Sequence, residues 1–231
     1  MNDRKPAVIS ALLVVLGACL VLWLSGCSSG TTDAGVHTSV SSTADSPLMA
    51  GIRQSLDATK ALTSMHLAIR TTGQVDSMLG ITSADVDVRA KPLAAKGDCT
   101  YQGQAGVPFR IKDDTISVKL FDDWTNLGSV SDQPASRLLD PANGVAKMLS
   151  GVTNLQSQGT EVIDGIPTTK ITGTMQTDSV KILDPGARNP RPATVWTAQD
   201  GSQRIVQASV DLGSGSVQVT LSKWNEPVTV D

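Results

Sequence analysis

From residue 47 onward the apolar positions recur first every four residues and then every two. Leu48, Ile52 and Leu56 form one stripe, flanked by Met49 and Leu62, while Arg53, Asp57 and Lys60 fall opposite. That spacing predicts an amphipathic helix over 47–62, with Ser46 as its cap and Pro47 in its first turn. Beyond it, Met65, Leu67 and Ile69 alternate with His66, Ala68 and Arg70, and Val86 and Val88 alternate with Asp85, Asp87 and Arg89. Gly97, Cys99 and Tyr101 share one face of a third strand, against Asp98 and Thr100. Val107, Phe109 and Ile111, then Ile116, Val118 and Leu120, flank the turn pair Asp113-Asp114 as a hairpin. Each run has one apolar and one polar face, which predicts an antiparallel sheet with one side wet.

The middle of the chain reads differently. Asp140 before Pro141 starts a second helix bearing Val145, Met148, Leu149 and Val152. Residues 154–164 and 166–175 form a hairpin about Asp164-Gly165, a type I′ signal. A short helix over 178–183 stops at Pro185, and 189–192 is a proline-rich link. The chain ends as a meander, with strands at 194–197, 205–212 and from 217 to about 224, and turns at Asp200-Gly201 and 213–215. This makes about ten strands and three helices. The strands do not alternate with helices, which excludes a doubly wound α/β fold. No repeat of a propeller or solenoid is visible.

The N-terminus predicts export. Arg4 and Lys5 precede an apolar run over 7–24, which ends in Leu24-Ser25-Gly26-Cys27. The length alone also suits a transmembrane helix. Leucine, two small residues and cysteine at the end of the run form a bacterial lipobox and decide for a lipoprotein signal. Residues 1–26 are then the signal peptide, and Cys27 is the lipidation site, a thioether-linked N-terminus carrying acyl chains such as palmitate. Residues 27–46 are the acylated cysteine and a flexible Ser/Thr/Gly/Ala tether, in which His37 is a solvated residue. Residues 47–231 are one globular domain. The expected location is the outer face of the cell membrane, facing the periplasm or cell envelope. Cys99 remains as the one thiol of the mature chain, so an intramolecular disulfide is excluded.

Composition narrows the function. A net charge of −3, with no basic block, argues against nucleic acid. Aromatic residues at 3% disfavour a stacking platform for bases. Two histidines and three cysteines, two of them in the leader region, leave no zinc site, and no cofactor is expected. There is no Gly-x-Ser-x-Gly elbow, and the Gly213-Ser214-Gly215 turn joins two strands rather than opening a helix. His66 reads as a partly buried, satisfied histidine. Asp113-Asp114 and Asp122-Asp123 read as turn residues rather than paired catalytic carboxylates. Cys99 reads as a small buried apolar group rather than a reactive thiol. The chain is expected not to be an enzyme.

What remains is aliphatic surface: helix stripes of Leu, Ile, Met and Val, and strands poor in aromatics. An ordinary core explains it, and so does a cavity with helices held off a curved sheet. Patterning alone leaves both open.

Several segments carry a resemblance. They are 52–60 with Leu62-Thr63-Ser64, 80–90, Pro192-Ala193-Thr194-Val195-Trp196, Asp211-Leu212-Gly213-Ser214-Gly215 and Leu221-Ser222-Lys223-Trp224-Asn225-Glu226. They resemble the mycobacterial LppX/LprG/LprA lipoprotein family over nearly the whole chain, with the tether and 102–105 matching least well. The resemblance implies an α+β fold: a curved antiparallel β half-barrel with helices on its concave side, enclosing a large apolar cavity. It implies a lipid carrier. In LppX-like members the cargo is a long-chain lipid of the phthiocerol dimycocerosate type, moved across the envelope towards the outer membrane. LprG-like members carry other acylated glycolipids. The expected partners are the lipid cargo, the membrane through the N-terminal acyl chains, and a lipid-exporting transporter. No catalytic residues are implied. The lining expected on this reading is Leu48, Ile52 and Leu56 from the first helix, Cys99, Phe109, Ile111, Val118 and Leu120 from the sheet, and Val145, Met148 and Leu149 from the second helix. The other function class is a structural or interaction lipoprotein with a filled core and no cargo.

Overall fold

The computed structural model describes residues 47–75 and 78–230. The predicted signal peptide, Cys27, His37 and the predicted tether lie outside the described residues. Helix α1 spans Pro47–Lys60. Strands β1 (Ser64–Gly73), β2 (Ile81–Arg89), β3 (Ala94–Tyr101), β4 (Gln104–Lys112), β5 (Thr115–Leu120) and β6 (Asp123–Ser129) follow. A 3₁₀ helix (Pro134–Leu139) and α2 (Val145–Leu149) lead to β7 (Val152–Ile163) and β8 (Ile166–Met175). Helix α3 (Thr177–Val180), β9 (Arg191–Ala198), β10 (Ile205–Asp211) and β11 (Gly215–Ser222) complete the chain.

The eleven strands form one curved, open, antiparallel sheet in the order β6-β5-β4-β3-β2-β1-β11-β10-β9-β8-β7. It is two meanders joined where β1 pairs with β11, with Leu67 opposite Leu221 and Ile69 opposite Val219. Register shifts between Ile81 and Ser83, Cys99 and Tyr101, Ile116 and Ser117, and Ile205 and Gln207 interrupt the ladders. Such bulges bend and twist strands, which suits a sheet that curls around its contents. Because β6 and β7 are opposite edges, the chain between them crosses the whole sheet. The 3₁₀ helix and α2 lie on that crossing.

One face holds the core. Met65, Leu67, Val86, Val88, Ile111, Val118 and Leu221 are buried on it, together with Ile52 and Leu56 of α1 and Leu138, Val145, Met148 and Leu149 of the crossing segment. Two polar groups share the inner face of α1. Ser55 Oγ donates to the Gly51 carbonyl at 3.0 Å and Thr59 Oγ1 to the Ser55 carbonyl at 2.8 Å, so their burial leaves no donor unmet. The opposite sheet face is polar. His66 Nδ1 lies 2.8 Å from Asp87 Oδ1, and Arg70 makes a two-pronged contact with Asp85 at 3.0 and 2.8 Å. His66 is thus half-buried and satisfied, as its place on the strand predicts.

The structure departs from the sequence reading in five places. Strand β6 was not predicted: Asp122 lies in the turn, but Asp123 begins a strand whose only large apolar side chains are Trp124 and Leu127. That strand is an exposed sheet edge, so it has no alternating apolar face to read. The 3₁₀ helix was also missed, although Pro134 in its first turn and the pair Leu138-Leu139 mark it. Asp140 caps a turn before α2, its Oδ1 accepting from the Ala142 and Asn143 amides at 2.9 and 3.1 Å, and Val152 belongs to β7 instead. Asp200-Gly201 is part of a longer loop between β9 and β10, closed by Ser202 donating to the Asp200 carboxylate. Finally, β9 starts at Arg191, inside the proline-rich link.

Candidate functional site

Among the described residues, a small apolar pocket lies on the concave side beneath the 3₁₀ helix. Its floor is the inner face of the first meander: Ile69 of β1, Ile81, Ala84 and Val86 of β2, Phe109 of β4 and Ile116 of β5. Met78 and Leu79 of the β1–β2 connection bound it on one side, and Gln133, Ala135, Ser136 and Leu139 cover it. The cavity measures about 50 Å³. No ionisable residue lines it, and its two polar groups, Gln133 and Ser136, come from the helical cover.

Local sequence explains the arrangement. Ala84 is the smallest side chain on the floor and leaves space where a larger one would fill it. Gly97, level with Val86 and Phe109 in the register, approaches β2 so closely that a Cβ there would overlap the Asp85 carbonyl oxygen. Gly144 likewise lets the turn before α2 press against the 3₁₀ helix, since a Cβ would overlap the Arg137 and Asp140 carbonyl oxygens. Leu138, Leu139, Val145, Met148 and Leu149 of the crossing segment are buried in one cluster with the inner face of the sheet. The pocket beside them is far smaller than the large cavity that the resemblance implies.

Among the predicted lining residues, Phe109 lines this pocket. Cys99, Ile111, Val118, Val145, Met148 and Leu149 are buried in the core around it, as are Ile52 and Leu56 beneath α1. Leu120 is partly buried against the same core. Leu48 and Ile52 instead line a separate groove with Thr169, Ile171, Thr197 and Ala198. Cys99 faces inward between Ala84 and Val107, and burial, with a smaller push from the Asp98 charge, raises its thiol from 9.0 to about 11. The thiol is therefore held protonated and is no nucleophile at neutral pH. The lining residues that sequence reasoning missed are Ile69, Ile81, Ala84, Val86 and Ile116 of the floor, Met78 and Leu79 beside it, and the 3₁₀-helix cover; the last two groups sit outside the periodic runs.

The candidate carboxylates are dispersed. Asp113 and Asp114 form a tight turn with φ of 50° and 63°, and Asp114 accepts from Ser129 Oγ at 2.5 Å. Among the described residues no group of three or more His, Cys, Asp and Glu is placed to hold a metal ion.

The sequence profile of the LppX_LprAFG lipoproteins matches residues 46–230. The chain belongs to the LppX_LprAFG lipoprotein family. LppX of Mycobacterium tuberculosis H37Rv, provisionally named a phthiocerol dimycocerosate transporter, is 71% identical over 233 residues, covering 100% of both chains. LprG of Mycobacterium tuberculosis H37Ra, named a lipoarabinomannan carrier protein, is 32% identical over 236 residues, covering 98% of this chain and 94% of its own. The crystal structure of M. tuberculosis LppX superposes with a TM-score of 0.72, covering 80% of this chain and 98% of that one. LprF from Mycobacterium bovis superposes at 0.67 with 26% identity, covering 79% and 94%. The LppX_LprAFG fold is thus the fold of this chain, and the relatives bear the names of carriers and transporters rather than of enzymes.

Proposed function

We propose that this protein is an exported, lipid-anchored carrier that takes the long acyl chains of an envelope lipid between its sheet and its helices. The observation that carries the reading is the pocket: its floor is wholly apolar and no charge lines it. Such a lining offers burial of hydrocarbon and no reaction. The names of the relatives point the same way, and the 71% identity to LppX makes a lipid of the phthiocerol dimycocerosate type the proposed cargo. The signal 1–26, the acylated Cys27 and the tether would hold the domain at the outer face of the cell membrane. A lipid-exporting transporter is the proposed donor. Two or more acyl chains are needed for a lasting anchor.

A chain of about twenty methylenes, at roughly 25–30 Å³ each, does not fit a cavity of about 50 Å³, so the helical cover must lift. The topology allows this. The crossing segment is joined to the sheet ladder only at its two ends, through edge strands β6 and β7. It can withdraw without breaking a strand pair. At about 0.8 kcal/mol per methylene, a chain of that length gains over 10 kcal/mol before ordering costs. Cargo would leave into water only slowly, and transfer would proceed by contact with a membrane or partner.

The small volume favours a second reading, a structural lipoprotein with a filled core. Transfer of a radiolabelled long-chain lipid between donor and acceptor vesicles separates the two. A carrier accelerates transfer in proportion to its concentration, and a filled core leaves the spontaneous rate unchanged.

A further inference from the structure

We propose that the end of the sheet bearing the β5–β6 turn is the face that meets a lipid bilayer, with Phe121 as the inserting group. Phe121 is 100% exposed and sits at φ 57° in that turn. Neither the turn nor the core asks for it: left-handed turn positions favour Gly, Asn or Asp, and a bulky side chain there is strained. Trp124, three residues on, is also exposed, and the Arg110 guanidinium stacks 4.0 Å from its ring centroid. Lys119 is the cross-strand partner of Trp124. An aromatic tip backed by Trp, Arg and Lys is the arrangement that amphipathic side chains adopt at a membrane–water boundary. Asp122 and Asp123 balance the two cations, so the attraction is apolar and needs neither anionic lipid nor low salt.

The position suits the proposed function, on which this inference rests. In the antiparallel order, Gly73, Ile81, Leu120 and Asp123 mark the same end of the sheet. That end therefore carries Met78 and Leu79, which bound the apolar pocket. A bilayer touching Phe121 lies beside the route by which a chain would reach the pocket. Helix α1 begins at the other end, where Pro47 lies beside Thr197 and Gln199. Strands of eight residues are about 27 Å long, and residues 28–46 reach roughly 65 Å when extended, so an anchor at Cys27 leaves the far end free to reach the membrane. Val162, another large apolar side chain well exposed among the described residues, stands near the β7–β8 turn at the opposite end and serves as a control.

The test uses the full, acylated protein in phosphatidylcholine vesicles whose acyl chains are brominated just below the headgroups. Phe121→Trp and Val162→Trp each add one reporter to the native tryptophans. Quenching of the added emission at 121 but not at 162, unchanged at about 0.5 M salt, is expected. No quenching at 121, or equal quenching at both positions, overturns the proposal. So does protection of the tip in whole membranes but not in pure lipid, which would assign it to a protein partner. Phe121→Ser should slow lipid transfer several-fold at an unchanged melting temperature. Quenching at 121 without lipid transfer would overturn the carrier reading and leave the docking face standing. Transfer by a protein that shows no quenching would overturn the docking face alone.

Discussion

Ala84→Leu separates a pocket that receives lipid from a packing defect of no consequence. Ala84 is 5% exposed on β2, between Ile69 and Cys99 in the register, and its Cβ faces the pocket. Leucine adds three carbons to a cavity of about 50 Å³. Burying them gains about 2.4 kcal/mol at 0.8 per carbon, while overpacking costs about 1–3 and side-chain ordering about 0.5–1. The terms nearly cancel, so stability should change by no more than about 1.5 kcal/mol, or roughly 5 °C in a chain of this size. Val118→Trp is the contrast. Val118 is 0% exposed, packed between Phe109 and Thr125 and outside the pocket, so the same logic leaves only overpacking, about 3 kcal/mol or more. The assay pairs thermal unfolding with the quantity of lipid extracted per mole of protein. Ala84→Leu should melt near the wild type and carry several-fold less lipid, whereas Val118→Trp should lose stability first. Wild-type lipid content in a stable Ala84→Leu protein would refute the reasoning, because the chains would then lie elsewhere. A melting temperature lowered by more than about 10 °C would show that the space was not there to fill.

Further outcomes follow from the leader and from two titrating groups. Cys27→Ala should leave an uncleaved precursor that accepts no acyl chains, read by intact mass and membrane fractionation; processing as in the wild type would exclude the lipobox. The Cys99 thiol should resist a charged thiol reagent at pH 8 in the folded protein and react at once in denaturant, and rapid native labelling would place it outside. Its folded-state value is raised from 9.0 to about 11, so the stability this provides is full below pH 9 and is lost as pH rises from 9 to 11. Chemical denaturation across that window should show the decline, and Cys99→Ala should abolish it. Glu161 is held below its ordinary 4.5 by hydrogen bonds from Lys170 Nζ at 2.8 Å and Trp196 Nε1 at 2.7 Å. Its contribution is present above pH 4.5 and lost as pH falls through the lowered value, so Trp196 emission should shift in that range and Glu161→Gln should remove the shift.

Much of the fold was legible because its inner face obeys a period of two. The runs ending in Ile69, Val88, Ile111 and Leu221 each alternate cleanly, and each became a strand facing the core. The hairpin at Asp164-Gly165 was legible for a different reason: both residues take positive φ, 48° and 81°, which that pair favours. Strand β6 was not legible, because an edge strand with exposed Asp123, Trp124, Thr125 and Asn126 has no buried face to set a period. The pocket was hidden for a related reason. Periodicity tells which side chains point inward, but Ile111 and Val118 point inward into packed core, whereas Ala84 and Ile116 point inward onto space. The difference lies in the 3₁₀ helix above them, which is too short to leave a helical stripe in the sequence.

Native mass spectrometry of the full acylated protein, released gently from membranes of its own host, tests the central claim most directly. The account predicts a species heavier than the covalently acylated chain by the mass of a long-chain lipid, lost on organic extraction and absent from a chain unfolded beforehand. A preparation that carries only its covalent acyl mass, and that takes up no lipid when offered donor vesicles, would contradict it.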